Sequence, residues 1–208
     1  MSATLLLAAL SLLPLLLITT TAFLKTVIVL MITRNAIGVQ QVPPSMAVYA
    51  IALMLSAYVM APTLQAMTGP ASEMINGKSS AAATESIARV VEPLRLFMVK
   101  RTKEDDRAAF REKAQKLWPP EQAAKATKED FFIVVPAFMI SEIQAGFEMG
   151  FLVYIPFLVI DLIVSNLLLA LGMQMMSPTT VSLPLKLFLF VVVDGWGKLL
   201  HAILDTYI

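Results

Sequence analysis

FFIVVPAFMISEIQAGFEMGFLVYIPFLVIDLIVSNLLLAL runs from Phe131 to Leu171. Its 41 residues include no Lys or Arg and only three acidic groups, Glu142, Glu148 and Asp161. As one helix it would extend about 60 Å at roughly 1.5 Å per residue, about twice the hydrocarbon thickness of a bilayer. Pro136, Gly146, Gly150 and Pro156 lie inside it, so kinks or breaks are expected. The stretch reads either as a bent hairpin or as a helix lying partly outside lipid, buried against other protein. The carboxylates favour the second for part of it, because lipid-facing charge is costly.

Outward from this stretch lie three further apolar blocks. One runs from Ala3 to Ile32, broken by Pro14 and Lys25, one from Met46 to Met67, and one from Val181 to Ile208. The last two fit a single span of about 20 residues. Hydrophobic residues make up 58% of the chain, charged residues only 15%, and the mean hydropathy is +0.76. The charge is segregated: 12 of the 16 Lys and Arg and 10 of the 15 Asp and Glu lie between positions 71 and 130. A bilayer imposes this pattern by expelling charge to its loops. The expected fold is an all-α membrane protein of long kinked helices and helical hairpins. It divides into an N-terminal hydrophobic helix pair (1–67), a charged, helical extramembrane segment (68–130) and C-terminal hydrophobic helices (131–208). The first block lacks a basic n-region and a small-x-small cleavage site, so it reads as a retained helix.

In the charged segment, Thr68 to Ser80 reads as a Gly/Pro/Ser-rich linker. A helix follows from Thr84, with Ile87, Val90, Val91, Leu94, Phe97 and Met98 as its apolar stripe. Pro93 is expected to bend or split it. Thr102-Lys103-Glu104-Asp105 resembles a capping box opening a second helix, with Phe110, Ala114 and Leu117 as a narrow stripe. Trp118-Pro119-Pro120 ends that helix, and Thr127-Lys128-Glu129-Asp130 is a further start signal. The segment reads as a small helical hairpin, with a solvated connector as the plainer alternative, and nothing in it suggests chemistry. Arg34 and Lys186 beside the two short connections favour those connections in the cytoplasm, with the termini and charged segment outside.

Several function classes are excluded or unsupported. Cysteine is absent, which removes disulfides and thiolate chemistry. A single histidine makes no histidine metal site. A net charge of +1 directs no strong field at nucleic acid. There is no phosphate-binding glycine loop, HExxH or GxSxG, and no cofactor is expected.

Three constellations remain. Asp194, Lys198, His201 and Asp205 share one face of an ideal helix at i, i+4, i+7 and i+11. They read as a proton or ion relay or, preferably, as a polar stripe facing a partner subunit, a lumen or the interface. Glu142 and Asp161 invite an intramembrane aspartyl-hydrolase reading, but no second motif supports it. They better fit bonding to neighbouring helices or lining an aqueous cavity. Met173-Gln174-Met175-Met176, beside Gly172 and before Pro178, forms either a compliant seal or ordinary apolar filling.

Three stretches together resemble one family. The first holds Phe23-Leu24-Lys25 and Arg34-Asn35-Ala36-Ile37-Gly38-Val39-Gln40-Gln41-Val42-Pro43-Pro44. The second holds Pro136-Ala137-Phe138, Ser141-Glu142, Gly150-Phe151 and the run Ile155-Pro156-Phe157-Leu158-Val159-Ile160-Asp161-Leu162. The third holds Gly172-Met173-Gln174-Met175-Met176-Ser177-Pro178, Ser182-Leu183-Pro184-Leu185-Lys186 and Val193-Asp194-Gly195-Trp196. They resemble the FliP/SctR proteins of the type III secretion export apparatus, over nearly the whole chain and most weakly in the charged segment.

The resemblance implies a non-enzymatic export-gate subunit at the inner membrane of Gram-negative bacteria. Several copies, usually five, would join FliQ/SctS-type and FliR/SctT-type membrane proteins. The assembly would be a closed helical channel for unfolded substrate proteins, powered by a separate ATPase and the proton motive force. Met173, Met175 and Met176 would form the family's methionine gasket in the loop 172–184, with Gln174 departing from an unbroken methionine run. Glu142, Asp161, Lys186, Asp194, Lys198, His201 and Asp205 would face sister subunits or the lumen. Flagellar members usually carry a cleavable signal peptide, so the N-terminus points to the injectisome branch. The alternative is a stand-alone ion or solute transporter built on the polar stripe of the fourth block.

Overall fold

The computed structural model describes residues 3–39, 42–75, 83–173 and 175–208. Among these residues all regular structure is helical. The order is α1 (Ala3–Thr20), α2 (Phe23–Ile37), α3 (Ser45–Ile75), α4 (Ala83–Arg101), α5 (Glu104–Leu117), α6 (Pro120–Lys125), α7 (Phe131–Ala170), α8 (Pro178–Val192) and α9 (Gly195–Asp205). Two helical segments, Ser45–Glu73 and Phe131–Ala170, are long and apolar enough to cross a membrane. The number rises to four if Pro14–Thr20 with Phe23–Ile37, and α8 with α9, each count as one broken span. The chain forms two compact units, Met1–Leu24 with Ser56–Gln144, and Lys25–Leu55 with Ala145–Ile208.

In the first unit, the break after α1 falls at Thr21-Ala22 rather than at Pro14, which stays inside the helix. A helix end strands its last carbonyls, and hydrocarbon offers no water to satisfy them. Here a side chain meets one of them: Thr21 donates its hydroxyl to the Leu17 carbonyl at 2.5 Å, while Thr19 and Thr20 bond back to the carbonyls of Leu15 and Leu16 at 2.9 and 2.6 Å. The Thr21 oxygen also accepts the Phe23 N–H at 3.3 Å, opening α2, and a hydroxyl bond from Ser56 on α3 at 3.1 Å.

The linker expected from Thr68 does not begin there, because α3 continues through Pro62 and Pro70 to Ile75. Each proline removes one helix bond, and nearby hydroxyls bond back to the preceding turn: Thr68 to the Gln65 carbonyl and Ser72 to that of Gly69. The rest of that linker, residues 76–80, lies outside the described residues. Pro93 likewise fails to split α4. Its turn is braced by Arg95, which donates to Glu92 at 2.6 and 2.8 Å and to Glu129 at 3.0 Å. The bond from Arg95 holds the Glu92 carboxyl below the usual carboxylate range.

α5 starts where the capping signal puts it, by a different arrangement. Thr102 turns its hydroxyl back to the Met98 carbonyl. The Lys103 N–H instead donates to Ser141 Oγ on α7 at 3.3 Å, and Ser141 donates to the Asp106 carboxylate at 2.7 Å. A capping box joins the N-cap N–H directly to an acidic side chain at the third helical position. Here a buried serine from another helix bridges the two, tying the charged segment to α7. Leu117 is the last residue of α5, and Pro120 opens α6 at the position where a missing N–H costs nothing. Asp130 accepts the N–H and hydroxyl of Thr127 just before α7, as the start signal predicts.

α7 is one helix of 40 residues, so the hairpin alternative for this stretch is set aside. In the second unit its glycines decide how α2 packs. A Cβ on Gly146 would lie 3.2 Å from the Ile28 side chain and 3.4 Å from the Lys25 Cα. One on Gly150 would lie 2.5 Å from Ile32 Cδ1. Spaced four apart, the two glycines let helix backbones approach closely, which is how helices associate where no hydrophobic force drives them together. Ala36, Ile37, Phe157 and Phe190 form the nearby core.

A methionine loop on a clamped helical hairpin

α7 ends in a glycine-dependent cap. Gly172 has φ +71, its N–H bonds to the Leu169 carbonyl at 3.0 Å, and the Met173 N–H bonds to that of Leu168 at 2.9 Å. These are the paired bonds of a Schellman motif, and the positive φ explains the glycine. The chain then passes into the methionine loop and re-enters helix at Pro178, the first residue of α8. Met175 is fully exposed, while Met173 and Met176 are 41% and 43% exposed. The last two line a cleft of about 410 Å³ with Ser165, Leu168, Leu169 and Pro178. Gln174 lies outside the described residues.

The arms of this hairpin are joined by a buried polar cluster. Lys186 on α8 is 8% exposed at its side chain and pairs with Asp161 on α7 at 2.5 Å. Its ammonium also donates to the Ala36 carbonyl, near the end of α2, at 3.2 Å. Ser182, one turn before Lys186, donates to the other Asp161 oxygen at 2.6 Å. An ion pair taken from water is tolerable only when its remaining bonding capacity is filled, and here Ser182 and Ala36 help to fill it. The pair borders a cleft of about 650 Å³ whose wall includes Asn35, Tyr154 and Thr179. Asp161 is thus engaged as a structural partner.

The remaining candidates are distributed differently. Glu142 is buried beside Ser141 in the first unit, and Glu148 is exposed. Lys198, His201 and Asp205 are exposed on α9. Asp194 is the N-cap of α9 rather than a residue within it, and its carbonyl accepts the Lys198 N–H at 3.0 Å. It adopts φ +53 at the break between α8 and α9, where the axes diverge by 63°. The ring of Phe190 occupies the space a Cβ on Gly195 would need, and it meets Trp196 edge-on at 5.2 Å. The Asp194-Gly195 pair is a turn signal that could have revealed the break. Ser182 and Lys186, four apart, were legible as one helix face, whereas Thr21, the Ser141 bridge and the Ala36 carbonyl depend on long-range placement.

Long apolar helices, a buried ion pair and an exposed thioether loop define a multi-helix membrane protein. Residues 6–203 match the FliP family model, and the chain belongs to the FliP family. Its relatives place it on the injectisome branch. It is 55% identical over 202 residues to "Harpin secretion protein HrpW" of Pseudomonas syringae pv. syringae, covering 97% of each chain. It is 50% identical over 209 residues to "Harpin secretion protein HrcR" of Erwinia amylovora, covering 100% of this chain and 96% of that one. It is 42% identical over 207 residues to "Yop proteins translocation protein R" of Yersinia pestis, covering 97% and 93%.

Proposed function

We propose that this protein is a channel-forming subunit of the type III secretion export gate, passing unfolded proteins across the bacterial inner membrane. The observation that carries the reading is the exposed methionine loop on a hairpin clamped by Asp161 and Lys186, in a chain matching the FliP family over nearly its full length. Met173, Met175 and Met176, repeated around a ring of copies, would make a thioether gasket that seals against ions and deforms around a passing chain. The copies, five in this reading, join FliQ/SctS-type and FliR/SctT-type proteins within the base of the secretion system. The charged segment 68–130 faces the periplasm. The exposed apolar faces of α7 and α8 meet sister helices and lipid. The transporter alternative relies on a polar stripe whose first residue, Asp194, lies at the break between α8 and α9.

Native mass spectrometry of the detergent-extracted protein, alone and co-expressed with the two small partner proteins, tests this reading. A homo-oligomer capturing both partners in a fixed ratio is the expected result. A monomer or dimer that ignores them would overturn it. A second prediction concerns the loop. Replacing Met173, Met175 and Met176 together with alanine is expected to raise small-ion leakage of the assembled complex several-fold while leaving its mass unchanged. Leakage is read by ion flux from loaded vesicles, and an unchanged flux would remove the gasket assignment.

A further inference from the structure

Thioethers are the most readily oxidised groups in a chain without cysteine, and here three of them are displayed together. Met175 is fully exposed, with Met173 and Met176 close by on the same loop, while Met60 and Met98 are buried. Met46 and Met54 are exposed too, but on α3, one of the two long apolar helices. Among the described residues, only the α7–α8 loop combines clustering, exposure and a position between helices rather than within a span. We propose that this loop is an oxidation site, and that peroxide acting there opens the seal. The proposal rests on the gasket reading above.

The chemistry needs a peroxide oxidant and nothing else. A sulfur lone pair attacks one peroxide oxygen, an S–O bond forms and the O–O bond breaks. The departing hydroxide takes the proton from the new S–OH and leaves as water. Sulfur loses two electrons and the peroxide gains them. The product is a polar, chiral sulfoxide in place of a flexible apolar group. The consequence follows from the surroundings. Met173 and Met176 line a cleft with Leu168 and Leu169, where Ser165 is the one side-chain hydroxyl among the described residues. A sulfoxide oxygen set among leucines loses its hydration without a sufficient set of donors. Oxidised side chains therefore turn out of the cleft into water, and a ring of them presents polar oxygens where apolar groups had excluded ions.

The test has two parts. Inner-membrane vesicles containing the full chain are treated with hydrogen peroxide, and sulfoxide is mapped by peptide mass spectrometry against time. Met175 is expected to oxidise first, Met173 and Met176 next, and Met60 and Met98 last. Equal rates at Met175 and Met98 would overturn the site. In parallel, ion leakage of the assembled complex is measured before and after peroxide, and again after both sulfoxide reductases, one for each epimer. Leakage is expected to rise several-fold and to fall back on reduction. Full sulfoxide at Met175 with unchanged leakage would overturn the opening step. A variant with Met173, Met175 and Met176 all replaced by leucine is compared with its own starting leakage. It is expected to gain none with peroxide, and an equal gain would place the damage elsewhere and overturn the proposal. The alanine variant keeps the two readings distinct. If it stays tight without peroxide, the gasket reading fails whatever the oxidation rates show.

Discussion

Lys186→Met is expected to destabilise the second unit by up to about 3–5 kcal/mol, the cost of leaving the part-buried Asp161 carboxylate without its cation. The loss should fall toward the lower end, because Asp161 keeps 31% of its side-chain exposure. That energy is comparable to the whole stability of a small unit, so the single variant should show low yield and a steep drop in midpoint when titrated with denaturing detergent. The double variant Asp161→Leu/Lys186→Met removes both charges and is expected to recover most of the loss, since an apolar pair of similar volume is often as stable as a buried ion pair. The Ala36 carbonyl and the Ser182 hydroxyl then lose a partner, so recovery stops short of the parent. A double variant as unstable as Lys186→Met would show that the pair itself is not what the single change removes.

Gly150→Leu carries the second large effect. A Cβ alone would sit 2.5 Å from Ile32 Cδ1 and 3.0 Å from Ile32 Cβ, and leucine adds three more carbons. Overpacking of this kind costs about 1–3 kcal/mol and sometimes more, and here it also forces α2 away from α7. Folding midpoint in detergent is again the readout. Ile32→Ala in the same chain is expected to restore part of the stability by vacating the space. No rescue would mean that the glycine is needed for a reason other than close packing against α2. Gly146→Ala should be milder, because its nearest contacts lie at 3.2–3.4 Å.

The helical, membrane-spanning character of the fold was legible because composition and charge segregation report it directly. Block ends were less so. Pro14, Pro70 and Pro93 suggested interruptions that the structure does not contain, because each proline removes only one backbone bond and the helix continues on either side of it. The real interruptions lie at Thr21 and Asp194, where local hydroxyls and an Asp-Gly turn, rather than proline, make a break affordable. The methionine run was visible as a run, and Gly172 beside it as a candidate terminator. What sequence could not supply was the join of Asp161 to Lys186 across 25 residues, or of Lys186 to the Ala36 carbonyl across 150. Such pairings are set by how α2, α7 and α8 pack, and no local periodicity encodes them.

The cap at Gly172 bears on how quickly a seal of this design would recover. The N–H groups of Gly172 and Met173 are tied to the last turn of α7, and that of Met176 returns to the Met173 carbonyl at 3.3 Å. The backbone at Gly172 and Met173 is thus anchored to α7, and the exposed thioether side chains keep rotational freedom of their own. Exposed side chains change rotamer in picoseconds to nanoseconds, whereas loops and helices rearrange in nanoseconds to milliseconds. On the gasket reading, a translocating chain bends side chains aside without unwinding a helix. The ring springs shut as soon as the chain's last residue has left it, so the time during which ions could follow is set by the cargo and not by the gate.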